Sequence, residues 1–284
     1  MEENFSSNND ELNKSEPSSN FDISFTKGVI LFLVGFAGLQ FVAIILSFIA
    51  TLIFDIEELQ IVNPEKVQII MGYINCFSYA IILVTLFAII GFSNLKFIYK
   101  HEELLNKIGK GIGYGFGLLM ISYIWGIISS FISPDITTNE NESSIRTIIS
   151  TLPIAAFLFV VVFAPVTEEI TYRLGIFHNI KKKNRYAAYI ATALIFGAIH
   201  VSWESFSDMS KAEVINELLN FPSYILSGAY LCYVYEKEDN LLSSTIAHMT
   251  NNGVAFLLTC LSSILPEGDA STSSTMSSLI RLMM

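Results

Sequence analysis

Charge is what this sequence has little of. Only 15% of its 284 residues are Asp, Glu, Lys or Arg, while 52% are hydrophobic, and the mean hydropathy is +0.54. Soluble domains carry roughly 25% charged residues and no long apolar runs, so a soluble globular protein is excluded. The net charge of −10 leaves no basic footprint and argues against a nucleic-acid partner. Cysteine is scarce as well. Cys76, Cys232 and Cys260 all fall in apolar segments without metal-ligand spacing, and they read as small buried hydrophobes. Residues 1–24, rich in Ser, Asn, Glu and Asp, lack the basic start and apolar centre of a cleavable signal peptide and read as a disordered tail. The soluble metalloprotease motif H-E-x-x-H is missing, and the polar groups inside the apolar runs contain no Ser-His-Asp or Cys-His set.

What the chain has is apolar length. A helix needs about 20 such residues to cross a hydrocarbon layer ~30 Å thick. Seven stretches meet or approach that: 28–54, 67–91, 110–132, 152–180, 186–203, 212–235 and 241–264. The fourth is overlong, and the sixth is polar at its start. Unpaired backbone groups are not tolerated in lipid, so all seven are predicted helices. The expected fold class is all-α, a polytopic transmembrane bundle of about seven to eight helices, the eighth being an interfacial or re-entrant piece near 212–220. The helical domain runs over 25–264, with a polar C-terminal tail at 265–284. Lys96, Lys100, Lys107 and Lys110 in the loop 92–110, and the K-K-K-N-R of 181–185, place those loops in the cytoplasm. The acidic loops 55–66 and 133–146 then face outward, and the N-terminus of this multi-pass cell-membrane protein lies in the cytoplasm. The third stretch opens G-I-G-Y-G-F-G, giving two small-xxx-small pairs, Gly111/Gly115 and Gly113/Gly117, suited to close helix packing.

Against this background the segment A-P-V-T-E-E-I-T-Y-R, from Ala164 to Arg173, stands out. A charge at the bilayer centre costs at least ~2.5 kcal/mol, so intramembrane ionisable groups point to function. Counted at the helical rise from the lysine-rich ends, Glu168 lies ~20 Å deep, His200 ~22 Å, His248 ~12 Å and Asn252 ~18 Å. Three helices thus bring carboxylate, imidazole and amide to similar levels. Glu169 and Arg173 are i,i+4 and can pair on one face. Glu168 points about 100° away and faces a cavity, with Tyr172 one turn along its own face. His248 and Asn252 share a face, and Phe196 sits one turn from His200, where it can wall a pocket. His101 and His178 fall near helix ends, and Glu204 and Glu217 on the outer, watery side. A carboxylate beside an imidazole can deprotonate water, while a second His and an Asn can donate to a developing oxyanion. These are the parts for peptide-bond hydrolysis. Glu168, His200 and His248 would equally make a Zn²⁺ set with an open position for water. Intramembrane Glu and His also serve proton relays, which keeps a proton-coupled transporter in view, although no internal repeat of the transporter kind is present.

The order E-E-x-x-x-R (Glu168, Glu169, Arg173), F-x-x-x-H (Phe196, His200) and H-x-x-x-N (His248, Asn252) resembles the CAAX-protease and bacteriocin-processing (CPBP) family of intramembrane proteases. The resemblance covers about residues 150–255. It implies a catalytic core there, with Glu168 and His200 activating water, His248 and Asn252 forming the oxyanion site, and Glu169 and Arg173 in support. It further implies an intramembrane endopeptidase acting on a peptide or membrane-anchored protein substrate at the lipid bilayer, in bacteriocin or pheromone processing or in self-immunity. The family is often labelled zinc-dependent. Its eukaryotic relatives look glutamate-dependent and metal-free, and the Asn suits hydrogen bonding better than zinc. A non-catalytic membrane scaffold or immunity protein is the alternative within the family.

Overall fold

The computed structural model describes residues 23–91, 94–95, 104–133, 139–203 and 206–264. The expected tails lie outside these residues, apart from positions 23 and 24, as do Lys96, Lys100, His101 and Glu204. The principal helices are α1 (Phe25–Ile53), α2 (Ile56–Val62), α3 (Pro64–Ile90), α4 (Leu104–Ile132), α5 (Glu140–Thr151), α6 (Pro153–Lys181), α7 (Arg185–Ala198), α8 (Lys211–Glu238) and α9 (Leu241–Ile264). The described residues contain no strand, and the fold is an all-α bundle.

Local sequence sets the helix starts. Asn63 accepts from the Lys66 N–H just ahead of Pro64, which fits the first turn because it has no N–H to leave unpaired. Ser210 and Glu213 form a reciprocal capping box on α8. Asn184 accepts from the Ala187 N–H and opens α7.

Helices α1, α3, α4 and α6 are long and apolar enough to cross a membrane, and the chain is a multi-pass membrane protein. The other three expected spans are helices of a different kind. At 14 residues α7 is ~21 Å long, short of the ~30 Å hydrocarbon layer. It ends at Ala198, ahead of the expected 203, because the His200 N–H tightens onto Gly197 and the Trp203 indole donates to the Ala198 carbonyl at 2.6 Å. Helices α8 and α9 have the length, 28 and 24 residues, but carry Asn, Ser, Thr and His that are turned into the bundle.

Three expectations need correction. The acidic stretch 55–66 is not simply a loop, because it holds α2, capped by Asp55, which accepts from the Glu58 N–H at 3.0 Å. The stretch 133–146 is not simply an acidic outward loop, because α5 begins within it. Asn139 caps that helix by accepting from the Glu142 N–H at 2.8 Å, and Ile145, Ile148 and Ile149 form its apolar stripe at helical spacing. Glu217 does not meet water. It is 2% exposed and accepts from the Glu140 N–H at 2.6 Å, where the unpaired N–H groups of the α5 N-terminus favour an anion.

The centre of the bundle is α6. In its most apolar stretch 61% of residues are buried, against 11% in α1. Around it α1 packs with α3, α4 with α9, and α7 with α8. The α4–α9 seam rests on the first glycine pair. A methyl group on Gly111 would lie 2.6 Å from Ile246 Cβ, and one on Gly115 would lie 2.5 Å from Thr250 Cβ and 2.9 Å from the Ala247 carbonyl. Gly117 meets Tyr230 of α8 instead, and Gly113 has nothing within 4 Å. Replacing Gly115 with Leu should therefore lower stability by about 1–3 kcal/mol, while Gly113→Leu should stay within about 0.5 kcal/mol of the parent. Thermal unfolding of the two detergent-solubilised variants checks this.

Candidate active site

The site begins with a distortion of α6. Its backbone widens into π-type turns over Phe157–Phe163 and Glu169–Phe177, on either side of Glu168. Ala164 donates five residues back, to the Phe159 carbonyl. In that register the Val160 carbonyl falls to Pro165, which has no N–H to give. Asn252 of α9 takes the place of that donor: its Nδ2 reaches the Val160 carbonyl at 3.0 Å, and its Oδ1 accepts from Asn251 at 3.2 Å. One amide hydrogen of Asn252 is thus held by backbone, leaving the other for the cavity. Because Pro165→Ala restores a donor at that position, Asn252→Leu should cost about 1–3 kcal/mol in the parent and less than half of that in a Pro165→Ala background, as a double-mutant unfolding cycle would show.

Beyond Pro165 the two glutamates part. Glu169 is fully buried, with Oε2 3.1 Å from Arg173 Nε, as the i,i+4 spacing predicts, and Oε1 3.2 Å from His248 Nδ1. Arg173 is fully buried as well. Its Nη2 reaches the Gly228 carbonyl of α8 at 3.5 Å, and its guanidinium lies 5.1 Å from the centre of the Phe196 ring. Removing one member of a buried ion pair strands the other charge, so Arg173→Met should cost about 3–5 kcal/mol and Glu169→Gln/Arg173→Met together distinctly less. Unfolding midpoints of the single and paired variants test that.

Glu168, 8% exposed, turns into a cavity of about 180 Å³. Its Oε1 accepts from the Tyr79 hydroxyl of α3 at 3.4 Å. Its Oε2 has no hydrogen-bond partner among the described residues, and His248 Nε2 stands 3.9 Å away. His200 follows the end of α7, with Nδ1 2.7 Å from the Phe196 carbonyl. A carbonyl only accepts, so Nδ1 carries the proton and Nε2 keeps its lone pair. The Phe196 ring lies 4.8 Å from the His200 ring and 5.9 Å from that of His248.

The structure therefore brings Glu168, Phe196, His200, His248 and Asn252 to one cavity. Glu169 and Arg173 lie behind it. Tyr172 also lies outside the lining, edge-on to Phe196 at 5.6 Å, as part of the packing that backs the pocket. His178 sits well away, with Nδ1 2.9 Å from the Tyr235 hydroxyl. Several wall residues were missed in the sequence: Tyr79 on α3, Asn141 and Glu142 on α5, Tyr224 on α8, and Asn251. Only Asn251, inside the third motif and next to Asn252, carried a local signal.

A zinc set of Glu168, His200 and His248 does not form in this arrangement. Among the described residues no three His, Cys, Asp or Glu side chains come together as a metal-holding group. His248 Nδ1 is engaged by Glu169, and its Nε2 lies 3.9 Å from Glu168 Oε2. Away from the cavity, Arg185 at the start of α7 donates to both oxygens of Glu236 at 2.9–3.0 Å, and these bonds hold that carboxyl down at about 2.

Residues 150–254 match the family model of the Rce1-like type II CAAX prenyl endopeptidases. The resemblance carried by the three motifs is thus borne out over that segment. The chain is 34% identical over 139 residues to the UPF0177 protein YvdC of Lactococcus lactis subsp. lactis (strain IL1403), covering 49% of this chain and 48% of that one. The match spans about half the length of this curated relative. No solved structure matches.

Proposed function

We propose that this Rce1-like chain is an intramembrane endopeptidase, and that the cavity beneath Glu168 is where it hydrolyses peptide bonds. The observation that carries the reading is the Glu168 carboxylate: one oxygen tethered by Tyr79, the other buried, unpartnered and directed into a polar-walled cavity. A buried acceptor without a donor costs about 1–3 kcal/mol, which argues for a ligand at that point.

In this mechanism Glu168 Oε2 takes a proton from a water molecule that His200 Nε2 helps to orient. The resulting hydroxide attacks the peptide carbonyl carbon. Negative charge develops on the carbonyl oxygen, opposite His248 Nε2 and the remaining N–H of Asn252. With Nδ1 engaged by Glu169, His248 donates from Nε2 only as the imidazolium, and Glu169 is its counter-ion. The protonated Glu168 then passes its proton to the leaving amine as the C–N bond breaks. Arg173 pairs with Glu169 from its other side.

The substrates in this reading are peptides or membrane-anchored proteins, as in bacteriocin or pheromone processing or self-immunity. The N-terminus and the lysine-rich loops lie in the cytoplasm, following the lysine and arginine bias.

The test is cleavage of a fluorogenic peptide library by parent and Glu168→Gln proteins in detergent, each with and without a chelator. We expect Glu168→Gln to lose at least ~100-fold in rate while eluting as a folded protein, and the parent to be indifferent to the chelator. Loss with chelator and recovery with Zn²⁺ would overturn the metal-free assignment. Equal activity in the two proteins, or none in either, would favour a non-catalytic membrane scaffold or a proton-coupled transporter.

A further inference from the structure

His200 is held by one side-chain hydrogen bond, to its own helix. It lies past the last residue of α7; its backbone N–H bonds back to Gly197, and its side chain's hydrogen bond runs from Nδ1 to the Phe196 carbonyl. That bond fixes the tautomer and leaves the ring free to swing about it. The second constraint comes from another helix. The Tyr224 ring of α8 lies parallel to the His200 ring, with centroids 4.5 Å apart and planes at 14°. Phe196 covers the imidazole as well, at 4.8 Å and 42°. Tyr224 is itself pinned at its far end. Its hydroxyl accepts from Asn139 Nδ2 at 3.0 Å and from Asn141 Nδ2 at 3.4 Å, both at the start of α5. That start is held to α8 a second time, through Glu217 and the Glu140 N–H.

We propose that Tyr224 is a positioning residue for His200: its ring, anchored through its hydroxyl to the N-terminus of α5, holds the imidazole with Nε2 facing the cavity. The assignment rests on the peptidase reading above. It extends the working site beyond the three motifs, to a tyrosine that none of them contains. It also brings in a short helix whose first residues precede the segment shared with the family. An aromatic ring suits this task. It constrains the orientation of the imidazole plane without donating to or accepting from Nε2, so that nitrogen keeps its lone pair.

The experiment compares the parent with Tyr224→Phe, Tyr224→Leu and Glu168→Gln, all full-length in detergent, with a fluorogenic peptide that the parent cleaves. Tyr224→Phe keeps the ring but releases it from Asn139 and Asn141, and should lower kcat about threefold. Tyr224→Leu should lose at least about tenfold in kcat with KM changed less than about twofold, since misplacement of a catalytic group by ~1 Å costs rates of that order or more. A second readout needs no substrate: the rate at which diethyl pyrocarbonate modifies His200, followed by mass spectrometry. It should rise at least about threefold in Tyr224→Leu and stay near the parent rate in Tyr224→Phe, because only the first removes the stacked ring and lets the imidazole turn its Nε2 lone pair to the reagent. An unchanged kcat in Tyr224→Leu would overturn the proposal, as would a rise confined to KM, which would make Tyr224 a wall for substrate. An unchanged His200 reactivity would overturn it too. A Leu variant that fails to fold leaves Tyr224→Phe to decide, a kcat equal to the parent's overturning the proposal. If Glu168→Gln proves as active as the parent, the peptidase reading fails, while the His200 modification rates still decide the clamp.

Discussion

The arrangement depends on one buried ion. Glu169 has no solvent contact and sits between Arg173, 3.1 Å away on its own helix, and His248, 3.2 Å away on α9. An unpaired carboxylate there would carry a desolvation penalty of several kcal/mol, so the packing that joins α6 to α9 is compatible with only a narrow range of positions. Arg173 extends the constraint. Its guanidinium covers the Phe196 ring of α7 and reaches the Gly228 carbonyl of α8. Three of the helices around α6 are thereby fixed to one charge pair, and the cavity forms where they meet. The pair adds little net stability by itself. It makes misaligned packings costly, because each of them strands a charge.

The second constraint is backbone rather than charge. A regular α6 would satisfy its own carbonyls and need nothing from α9. Pro165 removes one donor, the turn before it widens, and the Val160 carbonyl turns to Asn252. The same logic applies at the end of α7. A helix of 14 residues stops within the thickness of a bilayer, where bare backbone is tolerated only against protein or a cavity. His200 and Trp203 provide that protection: the His200 N–H and ring Nδ1 bond back to Gly197 and Phe196, and the indole caps Ala198. Both irregular stretches border the cavity. The backbone that departs from regularity is therefore also the backbone that aims Glu168 and His200.

This explains what could be read in advance. Glu168, Glu169, Arg173, Phe196, His200, His248 and Asn252 are legible because charge in an apolar run is conspicuous and i,i+4 spacing fixes which groups share a face. The seven apolar stretches all became helices for the same reason. The lengths and roles of the last three were harder to read, because hydropathy cannot separate a helix that faces lipid from one whose polar side lines a bundle. Helix α5 escaped because E-N-E-S-S-I-R-T-I-I-S-T is too polar to read as a span and too short to dominate a window. Tyr79, Tyr224 and Glu217 escaped for a stronger reason. Their partners are 89, 24 and 77 residues away, Glu168, His200 and Glu140 respectively, and nothing local marks a tyrosine or glutamate that packs at such a distance.

The distribution of these residues along the chain has a further meaning. The segment shared with the family, 150–254, supplies every ionisable group of the three motifs. The cavity wall draws on more than that segment. Tyr79 comes from α3, Ser122 from α4, and Asn141 and Glu142 from α5, all outside it. In this chain the charged floor therefore lies inside the matched segment and part of the wall outside it. Since Tyr79 tethers Glu168 while Asn141 bonds to the tyrosine stacked on His200, the walls also reach the floor's geometry. A change in α3 or α5 alters the cavity's shape and the aim of its carboxylate and imidazole together. The rest of this chain is therefore tied to the motif segment through Glu168 and through the tyrosine stacked on His200.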